Sequence, residues 1–301
     1  SGPEVEVTLE VNPSTVERAR LPAFADAGVN RLSVGVQSFD DTVLRRLGRA
    51  HRAAEGRRTL DAAREAGFRN VSVDLIFSAP GQDEAAVGRD LDAVAAFAPE
   101  HVSAYSLTVE EGTPFALAGA RGQLALPDDE ASARMMERVE AALGAAGLAR
   151  YEVSSFARPG FASRHNRRYW ERRAVLGVGL GAWSCEPPGP GAPHGARRAN
   201  VRDLEGYLRR VEAGVPAEAS PPEALDPATA RGEAAFLALR TSEGLHAEGF
   251  AAEFGGPPRR FWNDEIEGLV AAGLLLEGAG GDLRLTPRGL LLSDSVFARF
   301  V

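Results

Sequence analysis

Cysteine is almost absent from this chain: its 301 residues contain one, Cys185. A single thiol excludes an internal disulfide, a CxxC redox pair and the set of three thiolates that anchors an iron–sulfur cluster. No apolar run approaches the roughly 20 residues that cross a bilayer, and no charged-then-apolar secretion signal leads the chain, so the cytoplasm is the expected location. Positive charge is not concentrated either. The 34 Lys and Arg are spread along a chain of formal charge −8, which leaves no dense block to neutralise phosphates and argues against nucleic acid as a partner. Repeats of fixed period and low-complexity tracts are lacking as well. What is present, 44% hydrophobic and 25% charged residues, suffices for one large domain plus a small one.

The hydrophobic pattern alternates between two periods. Glu4 to Val11 has a strand's alternation, Asn12-Pro13 breaks it, and Ser14 with Glu17 forms a capping box for a helix running to about Ala27. Gly28 suits that helix's end, and Arg31 to Val36 is the next strand. Short helices are predicted at about 41–47 and 53–66, a strand at Asn70 to Phe77, a helix at 83–97 and a fourth strand at His101 to Thr108. Strands separated by helices at this spacing imply parallel βαβ units. A helix at about 128–146 and one more strand at Tyr151 to Ser155 follow a turn-rich stretch. Residues 186–196, rich in Pro and Gly, read as an exposed loop. From 227 onward the pattern is three helices, at 227–240, 246–254 and 260–273, and then a hairpin, which suggests a small winged-helix-like module. That segment carries seven Arg against ten Asp or Glu after residue 230, a poor surface for DNA.

Ligands of βα sheets bind at the carboxyl ends of the strands, where polar residues are the best candidates. Glu10 closes the first strand, Gln37 the second, Asp74 lies in the third, and Arg49 follows Gln37 on the next short helix. Two carboxylates, an amide and a guanidinium suit a zwitterionic, ribose-bearing ligand. Each of them could equally satisfy a local turn. Downstream, His165-Asn166-Arg167-Arg168-Tyr169-Trp170 sets an imidazole beside two aromatic rings, a group that can ligate iron and cover a porphyrin, or simply pack as core. Cys185 would react or ligate only if exposed in electropositive surroundings, and is expected to be structurally idle.

The runs TLEVNP, GVQSFD, LGRAH and VSVDLIFSAPGQ resemble, in order and spacing, the barrel of radical S-adenosylmethionine proteins related to oxygen-independent coproporphyrinogen III oxidase. The resemblance implies that Glu10, Gln37, Arg49 and Asp74 contact S-adenosylmethionine, with Arg49 toward the methionine carboxylate and Gln37 and Asp74 near the ribose. YEVSSFARPG followed by the HNxxYW run resembles the haem chaperone branch of that family. By that resemblance His165, Asn166, Tyr169 and Trp170 contact haem, and His165 is the candidate iron ligand. The family's 4Fe-4S motif of three cysteines is not in this sequence. Because the chain opens Ser1-Gly2-Pro3 and leads at once into a strand, a truncated start is expected, with that motif and a glycine-rich strand end upstream. Two further departures are Trp183, where relatives usually carry His, and Ser78-Ala79 in place of Gly-Leu.

The resulting expectation is an α/β chain: residues 1–185 a partial, open (β/α)6 barrel of radical S-adenosylmethionine type, missing its first strands and carrying the HNxxYW segment, 186–226 loop and linker, and 227–301 a winged-helix-like domain. Its expected role is haem binding and delivery to haem-receiving proteins, with room for peripheral association with membrane proteins. S-adenosylmethionine is expected to bind weakly. The alternative is coproporphyrinogen III oxidation by a radical route, against which the single cysteine argues.

Overall fold

The computed structural model describes residues 5–301. The Ser1-Gly2-Pro3 opening and the strand start expected at Glu4 lie outside that range. The chain divides into two compact units, Ser1–Ala162 and Ser163–Val301.

The first unit is built on β1 (Thr8–Val11), α1 (Thr15–Asp26), β2 (Arg31–Gln37), α2 (Asp41–Arg46), α3 (Ala53–Glu65), β3 (Val71–Phe77), α4 (Glu84–Phe97), β4 (His101–Ser106), α5 (Pro114–Ala120), α6 (Asp129–Ala145), β5 (Ala149–Arg150) and β6 (Ser155–Ala157). β1 to β4 pair in parallel, as the alternation of strands and helices requires, and β6 then adds antiparallel to β4, followed by β5. The first strand is shorter than expected. β2 offers no partner before Arg31, and Asn30 instead donates its side-chain amide to Val5 O and accepts from Val7 N. The strand expected at Tyr151 to Ser155 is likewise displaced: Ser154 N donates to Glu152 Oε1, and this local turn carries the chain to β6. Helix starts follow their capping residues, with Ser14, Asp40, Asp83 and Asp128 each accepting a backbone N–H of the first turn.

Strand alternation gives the sheet two chemically different faces. Leu32, Val34, Val36, Val71, Val73 and Val102 join Leu21, Leu60, Leu91, Val94, Met135 and Leu143 of the helices in one buried core. The opposite face carries Ser33 and Gly35 of β2, Ser72 and Asp74 of β3, and His101, Ser103 and Tyr105 of β4. Register sets Glu10 beside Ser33, Ser33 beside Ser72 and Ser72 beside His101, a polar row across four strands.

The second unit holds α7 (Arg164–Trp170), β7 (Trp183–Glu186), β8 (Ala196–Ala199), α8 (Leu204–Glu212), β9 (Glu223–Ala224), α9 (Pro227–Leu239), α10 (Ala247–Phe254), α11 (Arg259–Ala271), β10 (Leu275–Glu277), β11 (Leu283–Leu285), α12 (Pro287–Leu291) and α13 (Ser293–Phe297). The three expected helices and the hairpin β10–β11 are present. Residues 186–226, expected as loop and linker, contain β8, α8 and β9. The Pro- and Gly-rich stretch is the tip of the antiparallel hairpin β7–β8, and α8 is an amphipathic helix whose short apolar stripe of Leu204, Leu208 and Val211 is easily lost after such a tip. Gly289 on α12 lies against the backbone before β10, where a Cβ would fall 1.9 Å from Leu274 O. Gly289→Ala is therefore expected to cost the second unit about 3 kcal/mol through a clash with main chain that cannot rotate away. Thermal melting followed by Trp262 fluorescence, a ring packed against Phe250 and Phe300, measures this loss.

Candidate functional site

Two candidate sites emerge, one in each unit. In the first, Ser33 Oγ donates to both oxygens of Asp74, at 3.0 Å each, and Ser72 Oγ donates to Oδ1 at 3.2 Å. Asp74 keeps part of its surface, yet its carboxyl sits deep enough that burial raises its pKa, against the hydrogen bonds of Ser33, Ser103 and Ser72 and the charge of Arg31. Ser72 Oγ also meets His101 Nδ1 at 2.8 Å, while His101 Nε2 meets the Tyr151 hydroxyl at 2.9 Å. Burial, with Arg31 adding to it, pushes His101 down to about 3, so the ring is neutral. Tyr105 is raised by burial and by the negative charges of Asp74, Glu152 and Glu10.

Gln37 ends β2 in the left-handed region, at φ 65°, and its Nε2 lies only 2.9 Å from where a Cβ on Gly35 would be. Ser78, just past β3, is also left-handed at φ 57°. Such backbone costs about 1–3 kcal/mol per residue and collects at ligand sites. The turn after Gln37 is held by buried Asp90, which accepts from Phe39 N at 2.6 Å and from Ser38 Oγ at 2.8 Å. Burial pushes Asp90 up to about 6. Arg49 is exposed, and His51, two residues on, ties its segment to β2 by meeting Val36 O at 3.0 Å. The four predicted residues thus lie on β1, β2, β3 and the segment held to the end of β2. Ser33 and Ser72, which hydrogen-bond Asp74, and the His101–Tyr151 pair beyond Ser72 were not predicted: the only signal for Ser33, Ser72 and His101 is the polar phase of strand alternation in RLSVGVQ, VSVDLIF and HVSAYS, and Tyr151 lies outside these strands.

In the second unit, Ser163 caps α7 by accepting from Asn166 N. The motif's residues differ in exposure, although His165 and Tyr169, one turn apart, share a face of this helix. Tyr169 and Trp170 wall a mainly apolar cavity of about 290 Å³, whereas His165 is exposed, is not part of that wall, and meets Tyr169 edge-on at 5.1 Å. Cys185 and His194 of the β7–β8 hairpin line the same cavity, together with Phe236 of α9. Trp170, Arg172 and Pro188 also border a second cavity of about 260 Å³ that reaches Phe250 and Phe254. The indole of Trp170 is covered by the Arg240 guanidinium at 4.6 Å.

Residues 1–94 match the Radical SAM superfamily, and residues 225–292 match the HemN C-terminal domain. The chain is 34% identical to the haem chaperone HemW of Bacillus subtilis over 301 residues, covering 98% of this chain and 76% of that protein. The chain belongs to the HemW haem chaperone family of radical SAM proteins. It is 36% identical to the HemW of Mycobacterium tuberculosis over 298 residues, 98% of this chain and 71% of that protein. To the bovine mitochondrial radical S-adenosyl methionine domain-containing protein 1 it is 38% identical, over 97% of this chain and 66% of that protein. The fold is that of coproporphyrinogen III oxidase (HemN) from Escherichia coli, described as a radical SAM enzyme, with a TM-score of 0.77 at 22% identity over 98% of this chain and 69% of that one. Radical SAM membership implies S-adenosylmethionine and a 4Fe-4S cluster as the family's cofactors. Among the described residues no group of three or more His, Cys, Asp or Glu is gathered to hold a metal ion, and no helix is long and apolar enough to cross a membrane.

Proposed function

We propose that this protein binds haem beside α7 and passes it to haem-receiving proteins in the cytoplasm. The observation that carries the reading is the wall of the second unit's cavity: Tyr169 and Trp170, the two aromatic residues of HNxxYW, face a mainly apolar space bordered by an imidazole and a thiol. The chain's similarity to haem chaperones along nearly its whole length supports the same reading. The donor chemistry fits. A porphyrin takes apolar cover on its faces, a nitrogen or sulfur ligand on its iron and donors for its carboxylates, and Trp170 Nε1 is buried without a hydrogen-bond partner. Bound haem would supply an iron centre to be handed on. The protein's own part is to exclude water and hold the macrocycle. His165 and Asn166, at the exposed start of the motif, are proposed to meet haem as it enters.

In the first unit, we propose that Glu10, Gln37, Arg49 and Asp74 retain weak binding of S-adenosylmethionine. The acceptors and the exposed guanidinium suit hydroxyls and a carboxylate, and the missing Cβ at Gly35 makes room for the Gln37 amide beside the strand end.

Titration of the protein with ferric haem is expected to saturate near one equivalent with a defined Soret band. Asp74→Asn, in the other unit, is expected to leave stoichiometry and band unchanged. Non-saturating uptake that continues past several equivalents would reduce the binding to adsorption and remove the proposal.

A further inference from the structure

We infer that His194, outside the HNxxYW motif, ligates the haem iron inside the cavity of the second unit; this rests on the haem reading above. His194 lies in the tip of the β7–β8 hairpin and is part of the cavity wall with Tyr169, Trp170 and Cys185. Its Nδ1 is buried and has no hydrogen-bond partner among the described residues. A buried ring nitrogen in that state has lost its water without gaining a bond, a cost that an iron ligand or a donor would remove.

The ring is also held in place. It stacks on Phe254 of α10 with centroids 5.8 Å apart and planes 21° apart. Arg172 braces the same corner: it pairs with Glu253 at 2.8 Å, lies over the Phe254 ring at 5.6 Å and reaches His194 O at 3.5 Å. An imidazole fixed by packing on one side and lining an apolar space on the other is preorganised for a ligand.

The remaining wall chemistry is consistent with a planar, mostly apolar guest. Arg197 pairs with Glu233 in the cavity wall, so these two charges cancel there. Trp170 Nε1, the second buried orphan on this wall, can donate to a carboxylate of the guest. Trp170, Arg172 and Pro188 border both cavities, so a macrocycle too large for one can extend toward the other. His165, exposed and outside the wall, is worse placed for iron than His194.

The experiment uses the full chain and compares wild type, His194→Ala, His194→Met, His165→Ala and Cys185→Ser with two probes, ferric haem and metal-free protoporphyrin IX. His194→Ala is expected to shift the Soret band and weaken haem binding by about tenfold or more, while binding of metal-free porphyrin stays within about twofold, because only iron feels the missing ligand. His194→Met should recover affinity with a band distinct from wild type. That recovery separates ligation from misfolding. Wild-type spectra in both His194 variants overturn the inference and leave the haem reading standing, as does a Soret shift confined to His165→Ala or Cys185→Ser. Failure of wild type to bind either probe overturns both.

Discussion

Supplied with iron, sulfide, dithionite and S-adenosylmethionine under anaerobic conditions, the 301-residue chain is expected to release no 5′-deoxyadenosine above background. Reductive cleavage of the cofactor's carbon–sulfur bond consumes an electron that arrives through the cluster, and the cluster takes its anchorage from cysteine thiolates. This chain has one cysteine, and Cys185 lies on β7 in the second unit, whereas the polar strand ends lie on β1 to β3 in the first. The described residues offer no substitute ligand set of His, Asp or Glu. The outcome is all-or-none, and Cys185→Ser serves as its control: it should match wild type. Release of 5′-deoxyadenosine that tracks bound iron, and disappears in Cys185→Ser, would show a cluster held in a manner that this argument does not allow.

The parallel core was legible because β2, β3 and β4 carry apolar residues, mostly Val and Leu, at alternate positions on their helix-facing side, and because Ser14, Asp83 and Asp128 mark helix starts by chemistry that needs no tertiary context. What stayed hidden depends on register. Ser33, Ser72 and His101 are remote in sequence and look like ordinary polar positions until parallel pairing sets them side by side. YEVSS alternates like a strand, but Glu152 is buried and turns the chain, so pairing resumes only at Ser155. Of the candidate residues, Gln37 carries a positive φ that no pattern signals, and helical phase does not separate His165 from Tyr169, one turn on and on the same face: only the tertiary structure shows that the cavity meets the last turn of α7, Tyr169 and Trp170, and not His165. His194 was invisible for another reason. It sits among prolines and glycines, and Phe254, which orients it, comes 60 residues later on another element.

Two buried groups of the first unit, His101 on the polar face of the sheet and Asp90 on α4, make a large and opposed pair of pH effects. His101 is neutral in the folded protein, with its pKa pushed down to about 3 from 6.5, so an unfolded chain takes up a proton below pH 6.5 that the folded chain refuses. Its stabilising contribution is whole above 6.5 and is lost as pH falls from 6.5 to about 3, up to about 5 kcal/mol in total. Asp90 does the reverse. Its folded value of about 6 lies above the unfolded 3.8, so its contribution is whole below 3.8 and is lost as pH rises through 6, on the order of 3 kcal/mol. Asp74, also raised by burial, adds to the Asp90 direction. Between about pH 4 and 6 the two groups oppose each other, and wild type should show little pH dependence from them. Asp90→Asn removes the compensation, so acidification from pH 7 to 4 is expected to destabilise the first unit by about 2–3 kcal/mol more than in wild type. His101→Gln removes the acid penalty, and the same change of pH should cost it about 3 kcal/mol less than wild type, whatever its stability at pH 7. All three tryptophans, at 170, 183 and 262, lie in the second unit, so fluorescence does not report on this core. Hydrogen exchange in peptides covering residues 31–37, 71–77 and 101–106, corrected for intrinsic exchange rates, reads it directly. Parallel pH profiles for the three proteins would mean that both groups titrate alike in the folded and unfolded states, and that burial in the first unit does not shift His101 down or Asp90 up.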